Sequence, residues 1–156
     1  MAVNKTISVW LVIIDGENKG KIPLQKRSVG EQAFHYVCQA TWAGKVEPEE
    51  STEAAIKREC REELGKDFFE KFNFSKLKLL SEINFIAKER RWVGYNYLGK
   101  IRSSFLEDVK LHNEAFPNFV FIGNMDKIYS VKSGKDPKNN IVLFDDQYKI
   151  LKKLLR

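Results

Sequence analysis

One stretch restricts the fold more than any other: GKVEPEESTEAAIKRECREELG, Gly44 to Gly65. Its second half reads as an amphipathic helix. Ser51 is placed to cap it, its hydroxyl accepting from an orphan amide, and Glu53 suits the positive end of the helix dipole. Gly65 supplies the stop, as a residue able to take positive φ. On a wheel at about 100° per residue, with Ile56 at the origin, Cys60 and Leu64 fall within about 80° on one side and form a core-facing stripe. Glu63 falls only about 20° to the other side and Glu59 about 60°. A carboxylate beside a buried stripe is costly unless something offsets its charge.

Two of the helix glutamates have ordinary partners at i,i+4, Glu53 with Lys57 and Glu62 with Lys66. Glu59 and Glu63 do not. They stack four residues apart and repel by a few tenths of a kcal/mol when exposed, more when buried. Arg58 and Arg61 point to other sectors of the wheel, so the expected counter-charge is a cation from solution. Mg²⁺ suits such a place, because it takes oxygen ligands, often one or two carboxylates completed by phosphate and water.

At 156 residues the chain is expected to form one domain, 1–156, with a core that needs no staples. A hydrophobic share of 43% with nine Gly and four Pro excludes disordered and fibrous classes. The two cysteines, Cys38 and Cys60, form neither a zinc motif nor a disulfide framework, which points to a reducing cytoplasm. The apolar run Val9 to Ile14 is too short for a membrane span or a signal peptide and reads as a buried strand. A net charge of +6 favours anionic partners: phosphates, nucleotides or nucleic acid.

Along the chain, Ile7 to Ile14 and Ile22 to Arg27 read as two strands of a hairpin turned at Asp15-Gly16 and Asn18 to Gly20. A short strand is expected at Tyr36 to Thr41. Leu77 to Lys88 and Trp92 to Ile101 form a second hairpin with a basic tip that includes Lys88, Arg90 and Arg91. A strand at Phe119 to Ile122, a short helix at Met125 to Tyr129, a polar loop from Ser133 to Asn140 and a helix from about Asp145 to Leu155 complete the reading. Hairpins with a central and a C-terminal helix imply a layered α/β or α+β domain.

Gly44, Glu50 and the run Arg58-Glu59-Cys60-Arg61-Glu62-Glu63-Leu64-Gly65 carry a resemblance. Their spacing matches the Nudix box, G-x5-E-x7-R-E-U-x-E-E-x-G-U with U bulky and apolar, at all seven invariant letters. At about 7% per residue type, chance gives such a match on the order of once in 10⁸ windows. Lys66 and Cys60 depart from the two U positions, and Trp42-Ala43 replaces the Pro-Gly common before the box glycine. Leu24-Gln25-Lys26-Arg27 and the downstream His112-Asn113-Glu114 also resemble the family's usual arrangement.

The resemblance implies a Nudix-type α/β/α sandwich with a mixed sheet between helices. It implies Mg²⁺-dependent hydrolysis of a nucleoside diphosphate linked to another moiety, with Mn²⁺ able to substitute. Carried over by residue, it names Glu59, Glu63 and Glu62 as metal ligands with the Gly44 carbonyl, and Glu114 as a further ligand or the base. Glu62 and Glu114 are the candidate general bases, and Arg58 with Glu50 braces the entry loop against the helix. For the substrate, Arg27 is the candidate for phosphate, and Trp42 or Tyr95 for stacking on a base. His35 and His112 have no nucleophile to pair with and read as surface residues.

Two other functions share this fold. An isopentenyl diphosphate isomerase resembles it but commonly has cysteine before the box glycine, where Ala43 stands. A non-catalytic nucleotide- or RNA-binding module would use the basic surface, yet the box keeps every glutamate. RNA stays open as a partner, no membrane is expected, and dimeric relatives leave a homodimer open.

Overall fold

The computed structural model describes residues 3–28, 34–111 and 115–155. Its strands are β1 (Asn4–Ile13), β2 (Ile22–Lys26), β3 (Cys38–Gln39), β4 (Trp42–Lys45), β5 (Lys78–Ala87), β6 (Arg90–Ile101), β7 (Val120–Ile122), β8 (Ile128–Ser130) and β9 (Ile141–Leu143). The helices are α1 (Thr52–Leu64), α2 (Lys66–Lys71) and α3 (Asp145–Leu154). Two mixed sheets result, ordered β4-β1-β6-β5 and β7-β2-β3-β9-β8, so the fold is α+β.

The first apolar run organises the molecule. β1 lies parallel to β6 from Asn4↔Trp92 to Ile13↔Ile101 and antiparallel to β4 from Thr6↔Lys45 to Val9↔Trp42. Strand alternation sends Ile7, Val9, Leu11 and Ile13 to one face, where they meet Ala55, Ile56, Cys60 and Leu64 of α1. Trp10 points the other way, into a second core built from Ile22, Leu24, Leu143, Ile150 and Leu151. Each such fully buried aliphatic side chain contributes about 1.5–3 kcal/mol. α1 therefore covers one face of the first sheet, and the second sheet with α3 covers the other.

The second hairpin forms as expected, with Lys88 and Glu89 at φ 50° and 61° in its tip. The first does not form as one ladder. Gly16 and Gly20, at φ 73° and 84°, allow the turn, and the Gly20 and Ile13 amides close it onto Ile13 and Lys21 carbonyls at 2.8 and 3.0 Å. Beyond that point β1 and β2 part into different sheets.

The strand expected at Tyr36 to Thr41 shrinks to Cys38–Gln39, because Tyr36 sits at φ 67° and the chain changes sheets between β3 and β4. The helix expected at Met125 to Tyr129 is a turn followed by β8. The Asn124 side chain accepts from the Asp126 amide at 2.9 Å, and Lys127 takes φ 58°, which ends any helical path. Ile128 to Ser130 then pairs in parallel with β9, a strand too short to read from its sequence. Among the described residues no helix is long and apolar enough to cross a membrane.

Candidate active site

The capping chemistry of α1 is as its sequence dictates. Ser51 Oγ accepts from the Ala54 amide at 3.1 Å, and Gly65 at φ 95° ends the helix with its N–H on the Arg61 carbonyl. Anchored at both ends, the helix turns Glu63 inward until 6% of it stays exposed.

The two oxygens of Glu63 are held differently. Its Oε1 accepts from Gln25 Nε2 at 2.8 Å, whereas its Oε2 is buried and has no hydrogen-bond partner. Burial, above all, pushes the Glu63 carboxyl well above the usual carboxylate range. The neighbouring Glu59 carboxyl adds to the rise, and the Gln25 side chain and the Ala43 backbone amide oppose it.

Glu59 lies against Gly44. A Cβ on Gly44 would displace the Glu59 carboxylate, so glycine serves close approach there rather than a special φ. β4 presents Gly44 opposite Ile7 of β1, which fixes that contact to the edge of the sheet.

Arg58 organises the loop before the helix. Its Nε and Nη2 donate to the Glu50 carboxylate at 2.9 and 3.0 Å, and Nη2 also reaches the Lys45 carbonyl at 2.9 Å. Glu50 in turn accepts from the Glu47 amide at 3.1 Å. The paired charges hold the Glu50 carboxyl below its ordinary value and raise the Arg58 guanidinium. This is the brace expected from the sequence.

One charge lies where helical periodicity does not put it. Arg58 Nη1 donates to Glu59 Oε1 at 2.7 Å and lies 3.6 Å from Glu62 Oε2, because a long guanidinium swings across sectors that Cα directions keep apart. Lys66 pairs with Glu70 at 3.8 Å rather than with Glu62, and Lys57 lies over the Phe74 ring. Of the two stacked glutamates, Glu59 thus has an arginine partner, and the missing counter-charge belongs to Glu63.

These residues open onto a cavity of about 1060 Å³ lined by Gly44, Glu59, Glu63 and Gln25 at one end. Arg27 and Lys88 also line it. Phe144, Asp145 and Asp146 form another part of its wall. Asp145 is tied to Lys132 and Lys149, each at 3.1 Å, while burial pushes the Asp146 carboxyl above its ordinary value. In sequence these two acids mark only the start of a helix. Two adjacent acids at a helix start already have an ordinary dipole explanation, which is why they carried no functional signal.

Two substrate candidates are corrected. Trp42 is fully buried, its Nε1 donating to the Ile56 carbonyl at 3.0 Å and its ring set edge-on to Phe68, Phe72 and Phe74. It cannot stack on a base. Tyr95 pairs with Ile7 in register, so it shares the α1 face of the sheet, packs on the core there and is turned away from the cavity. Aromatic residues on strands show their face only once register is known.

Glu62 is about half exposed at 51% and reaches solvent beside Arg58. His35 is exposed in a turn. Glu114 and His112 lie outside the described residues. Cys38 and Cys60 are free and buried, with burial raising both thiols, Cys38 to about 11.

Among the described residues no group of three or more acidic, histidine or cysteine side chains could hold a metal ion. Mg²⁺ is commonly bound by one or two carboxylates, with waters and substrate phosphate completing the shell. Glu59 and Glu63 beside Gly44, with one buried carboxylate oxygen left without a donor, fit that smaller set.

The fold is mixed α+β with a carboxylate helix at the mouth of a large cavity, and comparison supplies the family. The NUDIX domain profile matches residues 4–118. The chain belongs to the Nudix family, and its class is that of the Nudix hydrolases. A sequence search of curated proteins finds no match.

Solved structures share the fold at low identity. A MutT/nudix family protein from Enterococcus faecalis is 18% identical with a TM-score of 0.70, over 99% of this chain and 61% of that one. A NUDIX hydrolase from Alicyclobacillus acidocaldarius is 11% identical with a TM-score of 0.67, over 99% and 92%. A Deinococcus radiodurans protein is 13% identical with a TM-score of 0.66, over 97% and 83%.

Proposed function

We propose that this chain hydrolyses a nucleoside diphosphate linked to another moiety, using Mg²⁺, or Mn²⁺ in its place, at the Glu59–Glu63 edge of α1. The observation that carries the reading is the buried Glu63 Oε2 with no protein donor, set beside Glu59 at the cavity's end. When bound, Mg²⁺ supplies neutralisation of phosphate oxygens and acidification of a water.

The chain's own residues do the rest. Glu63 and Glu59 would hold the ion, with Glu62 and the Gly44 carbonyl as further donors and Glu114 as a further candidate from the sequence. Arg58, fixed by Glu50, keeps Glu59 in place and ties the Lys45–Glu50 loop to the helix. Glu62, an exposed carboxylate beside Arg58, is the base candidate that lies within the described residues. Arg27 lines the cavity where a phosphate would extend from the metal edge.

A panel of nucleotide pyrophosphates assayed with Mg²⁺ tests this, comparing wild type with Glu63→Gln. Metal-dependent release of a phosphorylated product by wild type and its collapse in the variant are expected. Equal turnover in both proteins removes the metal assignment.

A further inference from the structure

Gln25 is the residue the box motif does not account for. It sits in β2, is 1% exposed, and its backbone is fixed opposite Gln39 in the β2–β3 ladder. Its Nε2 donates twice, to the Thr41 carbonyl and to Glu63 Oε1, both at 2.8 Å. An amide has two N–H hydrogens, and both are used. The reverse orientation would set the amide oxygen against a carbonyl and a carboxylate, so the chemistry itself determines which way the group faces.

The anchor is firm. Thr41 Oγ1 donates to the Pro23 carbonyl at 2.9 Å and accepts from the Leu11 amide at 3.1 Å, which locks it between the two sheets. A chain of hydrogen bonds therefore runs from β1 and β2 through Thr41 and Gln25 to Glu63. It fixes one carboxylate oxygen and leaves the other, Oε2, buried and without a donor.

The residue type matters as much as the geometry. A lysine or arginine at position 25 would neutralise Glu63 and compete with a cation. An aliphatic side chain would take the Nε2 donor away from a carboxylate in a buried place. A neutral double donor holds the carboxylate in one orientation and leaves its charge for something else.

We infer that Gln25 is a positioning residue for the metal edge: it orients Glu63 so that Oε2 alone faces the cation. The inference rests on the metal reading above and assigns to β2 a part of ion affinity that the box helix does not supply by itself. Hydrogen-bond partners behind metal ligands typically set 10–100-fold in affinity.

Gln25→Met, which keeps an unbranched side chain and removes both donors, tests it in the full-length protein by Mn²⁺ titration. The dissociation constant for Mn²⁺ alone is expected to weaken by about 10–100-fold. The Mg²⁺ concentration for half-activation should move by a like factor, while substrate KM at saturating Mg²⁺ changes by less than about threefold. Asn96→Leu is the control for lost stability, since Asn96 is a buried amide that accepts from Trp10 Nε1 at 3.0 Å away from the glutamates, and it should leave Mn²⁺ affinity unchanged.

If Gln25→Met does not fold, wild type decides: the Gln25 side-chain amide resonances should shift when Mg²⁺ is added. Folded Gln25→Met with wild-type Mn²⁺ affinity, or amide resonances unmoved by Mg²⁺, overturns the role of Gln25 and leaves the metal edge standing. A wild type that binds no Mn²⁺ overturns both.

Discussion

The two faces of the first sheet are made from the same strands and have opposite characters. Toward α1, Ile7, Val9 and Leu11 meet Trp42, Phe68 and Leu64 in a closed apolar core. On the other face Trp10 packs into the second core, and beside it Thr6 and Ser8 line a cavity. The difference shows where this molecule closes its core and where it leaves space: toward α1 aromatic rings fill the interior, whereas the cavity wall mixes Thr6, Ser8, Gln25, Glu59 and Glu63 with the rings of Phe85, Trp92 and Phe144. Glu63 lies between these two regimes, carried on the packed helix yet opening onto the cavity.

The largest expected effect falls on the cavity side. Glu63→Gln should reduce kcat/KM by about 10⁴-fold, or about 5.4 kcal/mol, because a neutral amide holds a hard cation poorly. The closed side should respond in stability instead. Trp42→Ala should cost about 3–5 kcal/mol in denaturant unfolding through cavity formation and the loss of its bond to Ile56. Mn²⁺ affinity of the fraction still folded should be unchanged, and a changed affinity would blur the contrast between the two faces.

Gly44→Ala comes next. The added methyl must displace the Glu59 carboxylate, and a ligand moved by about 1 Å can cost about 10²-fold in turnover, read at saturating substrate. An unaffected turnover would mean that Glu59 is not a ligand.

A smaller effect concerns pH. The Glu63 carboxyl titrates higher in the fold than in the unfolded chain, where a glutamate is near 4.5. The folded state therefore binds more protons, so its stabilising contribution is complete below the unfolded value and is lost as pH rises through the folded one. In EDTA, wild type should lose stability relative to Glu63→Gln over that rise, and Mg²⁺ should reverse the loss in wild type only. Thermal unfolding across pH, with and without Mg²⁺, reads this directly. The smallest effect is Tyr95→Phe, which should change substrate KM by less than about twofold, since that ring belongs to the packed face.

Much of the fold could be read from sequence where patterns are local. Ser51 and Gly65 mark the ends of α1, and the alternation from Ile7 onward marks a buried strand. The placement of Glu63 in the core stripe followed from helical periodicity alone. What could not be read depended on partners distant in sequence. Whether Trp42 and Tyr95 face a ligand or a core is decided by register with β1. The divergence of β1 from β2 depends on which strands claim each of them. Arg58 reaches Glu59 through a flexible side chain that no wheel represents. Gln25 looked like an ordinary strand residue because its partners, Thr41 and Glu63, come from other elements.

The most direct test is a crystal of the full chain soaked in Mn²⁺ and measured at the manganese absorption edge. The account predicts one anomalous peak between Glu59 and Glu63, at about 2.0–2.2 Å from Glu63 Oε2, with Oε1 still bonded to Gln25. Full occupancy of Mn²⁺ elsewhere with no peak at these carboxylates would contradict it.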